Sequence, residues 1–228
     1  MQGNVGPYAK FPEEEISYIL SSVLRVGAAL RKKSEREKEN PITIRLCKRL
    51  KRIERFRDGP LECHLQQEIP SFDPDDDSII GRMDISVSGV GGGSETYFAI
   101  EAKRLRFLYP GGTFETGSPE YVGEKGMMRF VTGKYAPFMQ AGAMLGYVFD
   151  GNTEKVWSGI GKYIRRKTEM LQMDDPRKLV PSGILPGERV GETRHHRMKD
   201  RIFILYHVFI SVSPDVSPWN IPNPKPID

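Results

Sequence analysis

Apolar residues recur at helical spacing near the start of the chain and predict two helices. The first covers residues 13–33, with acidic residues in its first turn and basic residues in its last turn. The second begins with Asn40 as the N-cap and Pro41 at the first helical position, and it ends before Gly59. The apolar stripe of this second helix consists of Ile42, Leu46, Leu50 and Ile53.

Three strands are predicted after these helices. Leu61–Ile69 and Ile79–Val90 are the first two, and apolar and polar residues alternate in the second of them. The third strand is the segment "ETYFAIEAKRL", residues 95–105. The Gly-rich stretch "GVGGGS" turns the chain back between the last two strands, so they are expected to form a hairpin.

The pattern continues with helices and strands in alternation. It predicts a helix over residues 124–140, an apolar strand over 143–150, a helix over 152–172 and a buried strand over 201–212. Residues 173–201 are polar and are expected to be weakly structured. This order of elements predicts one α/β domain with a central mixed β-sheet flanked by helices.

The single domain is expected to span residues 1–212. A helical N-terminal part, 12–58, precedes the core, 59–150, and a C-terminal helix and strand, 152–212, complete it. Residues 213–228 contain five prolines, which exclude regular structure, so this segment is expected to be a tail on the surface or on a partner.

Composition points to a cytoplasmic protein. The longest apolar segment has eleven residues, 202–212, well short of the roughly 20 that a membrane-spanning helix needs. The stretch "FPEEEIS" stands where a secretory signal would carry positive charge. Cys47 and Cys63 are the only cysteines and favour a reducing compartment, although two cysteines could pair.

Charge is unevenly distributed along the chain. Residues 25–57 hold thirteen Lys or Arg against four Glu, whereas residues 70–101 hold seven acids and one base. A basic shell beside an acidic patch is typical of an enzyme that binds a polyanion and a metal ion, while the alternative is a solvated helix face. The basic residues expected to contact phosphates are Lys48, Lys51, Arg52 and Arg55.

Two opposite charges, Glu101 and Lys103, lie at the end of the third strand. Because successive side chains of a strand point to opposite faces, both charges share one face. Burying them is costly unless they are paired or bound to a metal. The alternative is an edge strand that runs into solvent and carries a surface ion pair of little energetic value.

A second carboxylate lies on the other strand of the same hairpin. Asp84 precedes Glu101 by seventeen residues, and pairing of the two strands would bring Asp84, Glu101 and Lys103 together. Carboxylate oxygens are the ligands that Mg²⁺ prefers, and a lysine beside the ion can orient a water and neutralise phosphate charge. The sequence therefore predicts a metal site on this hairpin.

This arrangement resembles the PD-(D/E)xK nuclease superfamily. The likeness covers about residues 41–150, although Met83 stands where the family motif has proline. It implies a restriction-endonuclease-like fold and a nuclease, more readily an endonuclease than an exonuclease, that hydrolyses phosphodiester bonds in DNA. Mg²⁺, or Mn²⁺ in its place, would be held by Asp84, Glu101 and the carbonyl of Ala102, and Lys103 would position the water.

The resemblance also suggests additional site residues. Members often add an acid from a helix before the sheet, and Glu14 and Glu39 are candidates with a surface role as the alternative. Glu68 on the preceding strand is a further candidate acid. The candidates for polar contacts with substrate, for which helix-surface charges are the alternative, are Gln140, Arg129 and Lys134.

By analogy with small members of the superfamily, the protein is expected to serve restriction or anti-phage defence beside a partner ATPase or sensor, and a homo-oligomer is compatible with that role. The alternative functions are an inactive nucleic-acid-binding module and a scaffold subunit. An intact Asp, Glu and Lys set argues against the inactive module.

Two other patterns imitate metal sites. Asp73, Asp75 and Asp77 alternate like the start of a calcium loop, but Ser78 replaces the required glycine, so a solvated loop is expected. His195 and His196 have no partner at ligand spacing, so a role on the surface or against phosphate is expected.

Overall fold

Seven strands form one mixed sheet in the order β1-β2-β3-β6-β9-β8-β7, and helices flank it on both faces. The structure is a computed structural model that describes residues 11–71, 73–89, 96–109, 111–197 and 201–213. The described helices are α1 Glu13–Gly27, α2 Glu39–Leu50, α3 Glu54–Arg57, α4 Ser118–Val122, α5 Met127–Val131 and α6 Thr153–Arg166. The described strands are β1 Leu61–Pro70, β2 Ile79–Gly89, β3 Tyr97–Leu105, β4 Phe107–Leu108, β5 Phe114–Glu115, β6 Ala141–Val148, β7 Val180–Pro181, β8 Val190–Arg197 and β9 Arg201–Ser211.

The strand directions confirm the predicted single α/β fold with a mixed sheet. β1, β2 and β3 form an antiparallel meander, β3 and β6 are parallel, and so are β6 and β9. β8 returns antiparallel to β9, and β7 lies at the far edge. β4 and β5 pair separately as a small two-stranded sheet in the segment between β3 and α4.

The sheet separates two apolar cores. On one face α1 and α2 pack against residues such as Ile85, Phe98 and Tyr147. On the other face α4, α5 and α6 pack against residues such as Leu105 and Met144. β3 and β6 are buried at nearly every position, because both of their faces are covered and each has a strand on either side. The charges of Glu101 and Lys103 on β3 are therefore buried.

The N-terminal helices are shorter than predicted. α1 ends at Gly27, where a Cβ would meet Ile210 at 2.3 Å, so glycine permits close packing on β9. α2 starts with Lys38 as N-cap, not Asn40, and ends at Leu50. The predicted helix does not continue unbroken to residue 58, because Ile53 is extended and packs toward the first core before α3 begins.

The helix predicted over residues 124–140 is mostly wrong. Only α5 is helical within it, because Gly126 brings the backbone close to Tyr121 and Gly133 has a φ of 77°. The helix predicted over 152–172 ends at Arg166 as α6, and turns follow.

The weakly structured segment predicted over 173–201 is also wrong. It contains β8, which pairs with β9 along its whole length. β8 escaped detection because three of its inward-facing residues, Thr193, His195 and Arg197, are polar. The segment therefore alternates in burial but not in hydrophobicity.

Several predicted features fall outside the described residues: Val90, the rest of the Gly-rich turn that follows it, Glu95 of the third predicted strand, and the tail beyond Ser213. Among the helices that the structure does describe, none combines the length and apolar character required to cross a bilayer.

Candidate functional site

The hairpin of β2 and β3 opens at its far end. Backbone pairing between the two strands runs from Ser88 and Tyr97 to Ile85 and Ile100 and then stops, while β3 stays paired with β6 as far as Leu105. In the gap, Oδ2 of Asp84 accepts a hydrogen bond from the N–H of Ala102 at 2.8 Å. A side-chain carboxylate thus occupies the place of the next main-chain partner.

A matching irregularity in β1 lies opposite Asp84. Leu65 pairs with Ile85 and Gln67 pairs with Met83, so Gln66, with a φ of 51°, faces Asp84 across the strands. Leu65 and Ile85 pack toward the first core, whereas Met83 packs in the second core. The alternation of faces therefore shifts at this point, and the shift places Asp84 in the gap between β2 and β3.

Glu101 is the buried acid of the site, with 1% of its surface exposed. Its Oε1 accepts hydrogen bonds from Nζ of Lys103 at 2.6 Å and from Nη1 of Arg129 at 2.9 Å. Oε2 is also buried but accepts no hydrogen bond from the described residues. A buried carboxylate oxygen without a partner is costly, so a proton, a water or a cation from outside the described residues has to satisfy this atom.

Arg129 belongs to the core of the site, although sequence reasoning assigned it only to substrate contact. Its guanidinium also donates to the hydroxyl of Tyr135 and lies over that ring at 5.1 Å. The Tyr135 hydroxyl in turn donates to the carbonyl of Arg82 at 2.6 Å. Tyr135 was not predicted at all, because it lies in a turn where no periodic pattern marks it.

Burial and mutual repulsion govern the ionisation of the two acids. Burial, followed by the charge of Asp84, raises the pKa of Glu101 to about 7, and Lys103 and Arg129 limit that rise. Burial also raises the pKa of Asp84, while the hydrogen bond from Ala102 opposes the change. The charge of Asp84 thus disfavours ionisation of Glu101, and a cation bound between the two acids would offset this repulsion.

The donor set fits a hard divalent cation. Because the N–H and C=O of one strand residue point to the same edge, the carbonyl of Ala102 faces the gap that Asp84 occupies. Asp84, Oε2 of Glu101 and this carbonyl are oxygen donors of the kind that Mg²⁺ prefers. No cluster of three or more His, Cys, Asp or Glu that could hold a metal occurs among the described residues. Waters or substrate would have to complete the coordination.

The additional acids differ in their relation to the site. Glu39 begins α2, and its charge contributes to raising the pKa of Asp84. Its Oε2 pairs with Nε of Arg104 at 3.3 Å. Glu14 and Glu68 are exposed, and Glu68 faces Arg82 across the strands.

Gln140 is not brought to the site. It precedes β6, and its amide binds both main-chain groups of Phe11, accepting from the N–H at 3.1 Å and donating to the carbonyl. Its observed role is to hold the N-terminal segment. Lys134 is half-buried, with its aliphatic stem beside Gly81 on β2.

The predicted basic face divides into two parts. Lys48, Lys51 and Arg52 are exposed at the end of α2. Arg55 is engaged within the protein, because it pairs with Glu15 and lies over the ring of Tyr18 at 4.5 Å.

The expected surface role of His195 is wrong, because its side chain is fully buried. Its Nδ1 donates to the carbonyl of Leu171 at 2.7 Å, so its neutral Nε2 accepts from the hydroxyl of Thr193 at 2.7 Å. That hydroxyl accepts from Nε2 of His207 at 2.9 Å, whose Nδ1 accepts from Tyr121 at 3.0 Å. This chain of hydrogen bonds satisfies buried polar groups and was not foreseen.

The other two candidate metal-binding segments have the surface positions that were expected. His196 lies at the surface, with Nε2 3.2 Å from Oδ1 of Asp174. The loop with Asp73, Asp75 and Asp77 is exposed, and Asp73 accepts a hydrogen bond from the backbone of Asp75, as in an ordinary polar turn.

Comparison with known proteins leaves the site to be judged on its own geometry. The chain matches none of the protein-family models, curated proteins or solved structures with which it was compared.

Proposed function

We propose that the protein is a metal-dependent nuclease of the PD-(D/E)xK type, with a restriction-endonuclease-like core, that hydrolyses phosphodiester bonds in DNA. The observation that carries this proposal is the buried Oε2 of Glu101, which has no partner among the described residues. The other oxygen of this carboxylate accepts a hydrogen bond from Lys103, and the charge of Asp84 acts on the same group. The charge of Asp84 makes ionisation of Glu101 harder, and a bound divalent cation would offset this repulsion.

Each residue has a definite task under this proposal. Asp84, Glu101 and the carbonyl of Ala102 would hold Mg²⁺, with Mn²⁺ as a substitute. When bound, the ion would polarise the phosphoryl group and lower the pKa of a water. Lys103, held by Oε1 of Glu101, would orient the attacking water and balance negative charge as it develops.

The exposed basic residues Lys48, Lys51 and Arg52 would bind phosphates without reading sequence. They lie at the end of the helix whose first turn carries Glu39, and the charge of Glu39 acts on Asp84. The same helix would therefore connect backbone binding with the catalytic end of the hairpin. A role in restriction or anti-phage defence, in the cytoplasm and beside a partner ATPase or sensor, rests on the resemblance alone.

The experiment is incubation of the purified chain with supercoiled plasmid, linear single-stranded DNA and RNA, with Mg²⁺, with Mn²⁺ and with chelator. An endonuclease converts the plasmid to nicked and linear forms only when a divalent ion is present. Glu101→Gln and Lys103→Ala, made in the same background, control for a contaminating nuclease. Nucleic-acid binding without cleavage under every condition would favour an inactive binding module.

A further inference from the structure

We propose that Arg129 is a positioning residue that couples metal binding to nucleic-acid binding, because it exchanges Glu101 for a substrate phosphate. This inference rests on the proposed function and concerns the order of events at the same site. It assigns Arg129 a role before the metal ion binds as well as afterwards.

The starting observation is the crowding of one oxygen. Lys103 and Arg129 both donate to Oε1 of Glu101, while Oε2 is left without a partner in the described structure. The positive charges of Lys103 and Arg129 neutralise part of the negative charge of Glu101 that would attract a metal ion. A divalent cation that enters at Oε2 therefore meets repulsion from both, strengthened by the low dielectric of the buried site.

Exposure decides which of the two cations can leave. The Arg129 side chain is 26% exposed, whereas the Lys103 side chain is 9% exposed. Arg129 also projects from the short helix α5, outside the sheet, whereas Lys103 is fixed on β3. Arg129 thus has a route toward solvent.

The departure of Arg129 would not dismantle the site. Tyr135, its other partner, keeps its own hydrogen bond to the carbonyl of Arg82. A guanidinium suits a phosphate especially well, because its fork of N–H groups matches two phosphate oxygens. A phosphate near the bound ion therefore offers Arg129 a replacement for Oε1 of Glu101.

Such an exchange makes the two binding events cooperative. Metal binding would release Arg129 for the phosphate, and phosphate binding would remove a positive charge from Glu101. By thermodynamic linkage each ligand then tightens the other by the same factor.

The test is calorimetric titration of Mg²⁺ into the full chain, with and without a DNA oligonucleotide with N3′→P5′ phosphoramidate linkages, which resist hydrolysis and keep both non-bridging phosphate oxygens. The titration is made well above the Glu101 pKa of about 7, so that removing a neighbouring cation does not act through protonation. The variants are Arg129→Gln and Arg129→Lys, and the matched control is Lys125→Gln, an exposed lysine in the segment before α5. Circular dichroism and thermal unfolding establish that each variant is folded.

For the wild type, we expect the oligonucleotide to tighten Mg²⁺ binding by about 5-fold or more, the lower end of typical couplings. Arg129→Gln should bind Mg²⁺ more tightly than the wild type without DNA, and its coupling should fall to nearly none. Arg129→Lys keeps the charge and should resemble the wild type without DNA, with a weaker coupling. Lys125→Gln should leave both quantities unchanged.

Equal Mg²⁺ affinity and equal coupling in wild type and Arg129→Gln would overturn the inference, and so would a matching change in Lys125→Gln. If the wild type binds Mg²⁺ and cleaves DNA while Arg129→Gln behaves identically, only this inference fails. If the wild type neither binds Mg²⁺ nor cleaves, the proposed function fails with it.

Discussion

The carboxylate of Asp84 accepts a hydrogen bond from the main-chain N–H of Ala102, so one side chain joins β2 to β3 where their backbone ladder ends. The same carboxylate raises the pKa of Glu101. Asp84 therefore combines a structural contact with an electrostatic effect, and suitable substitutions separate the two.

Asp84→Asn should keep the structural contact, because its amide oxygen can accept the same hydrogen bond. Asp84→Ala should leave the buried N–H of Ala102 without a partner, which costs about 1–3 kcal/mol of stability. Both variants should bind Mg²⁺ more weakly. Urea unfolding of the two variants measures the difference in stability, and equal destabilisation would show that the hydrogen bond does not contribute.

Under the proposed function, the affinity for Mg²⁺ should rise as the pH increases through about 7, because the ion would bind the ionised form of Glu101. The midpoint pH of this rise should move upward in Arg129→Gln, which removes a cation that lowers the pKa of Glu101. It should move downward in Asp84→Asn, which removes the charge that raises it. Titrations across the pH range at constant ionic strength measure the midpoints, and a midpoint common to all three proteins would contradict the assignment.

The ionisation of Glu101 also makes the stability of the fold depend on pH. The pKa of Glu101 in the folded protein, about 7, is above its ordinary value of 4.5. The contribution of Glu101 to the free energy of unfolding is therefore greatest below 4.5 and is lost as the pH rises toward 7. Glu101→Gln should lack this dependence, and the difference between its unfolding profile and that of the wild type isolates it.

Lys103→Ala should lower the cleavage rate by about 100-fold to 10,000-fold, the usual effect of removing a positioned proton-transfer group. Nucleic-acid affinity should change little. The variant and the wild type should be compared well above pH 7, because Lys103 also lowers the pKa of Glu101. Single-turnover cleavage and equilibrium binding separate the two effects, and a variant that cleaves as fast as the wild type would exclude this role for Lys103.

Neutralising Lys48, Lys51 and Arg52 together should weaken binding to all DNA sequences alike. The slope of log affinity against log salt should flatten by about 0.9 for each DNA phosphate that the variant no longer neutralises. Arg55→Gln is the matched control, because this arginine is engaged by Glu15 and Tyr18 and its removal should reduce stability more than the salt slope. An unchanged slope in the triple variant would assign these residues to a solvated face.

The buried histidines should make the fold sensitive to acid. Burial lowers the pKa of His195 to about 4 and of His207 to about 3, below the ordinary value of 6.5. Their neutral forms contribute stability above pH 6.5 that is lost as the pH falls toward these values. His207→Gln should flatten the decline. The free energy of unfolding is measured against pH for the variant and the wild type, and the difference between them cancels the opposite contribution of Glu101. Parallel profiles of the two proteins would refute the effect.

The hairpin and its three charged residues can be predicted from the sequence, because a period of two and a Gly-rich turn are local signals. Neither supporting residue has such a signal: Arg129 is named only through the resemblance, as a substrate contact, and Tyr135 is not named at all. Arg129 lies on the short helix α5 and Tyr135 in the turns after it, where the position of a side chain depends on the whole fold. β8 was missed for a different reason: His195 and Thr193 satisfy each other's polar groups inside the protein, so their burial leaves no apolar pattern.

The position of β6 in the sheet affects how the chain folds during synthesis. All eight of its residues are buried, and its two edges are covered by β3 and by β9, the last described strand. A ribosome releases the N-terminal part first, so β6 emerges well before Arg201 and the rest of its second neighbour. During that interval an apolar strand edge is open to pairing with other chains. Fragments that end before β9 should therefore aggregate rather than persist as smaller folded proteins.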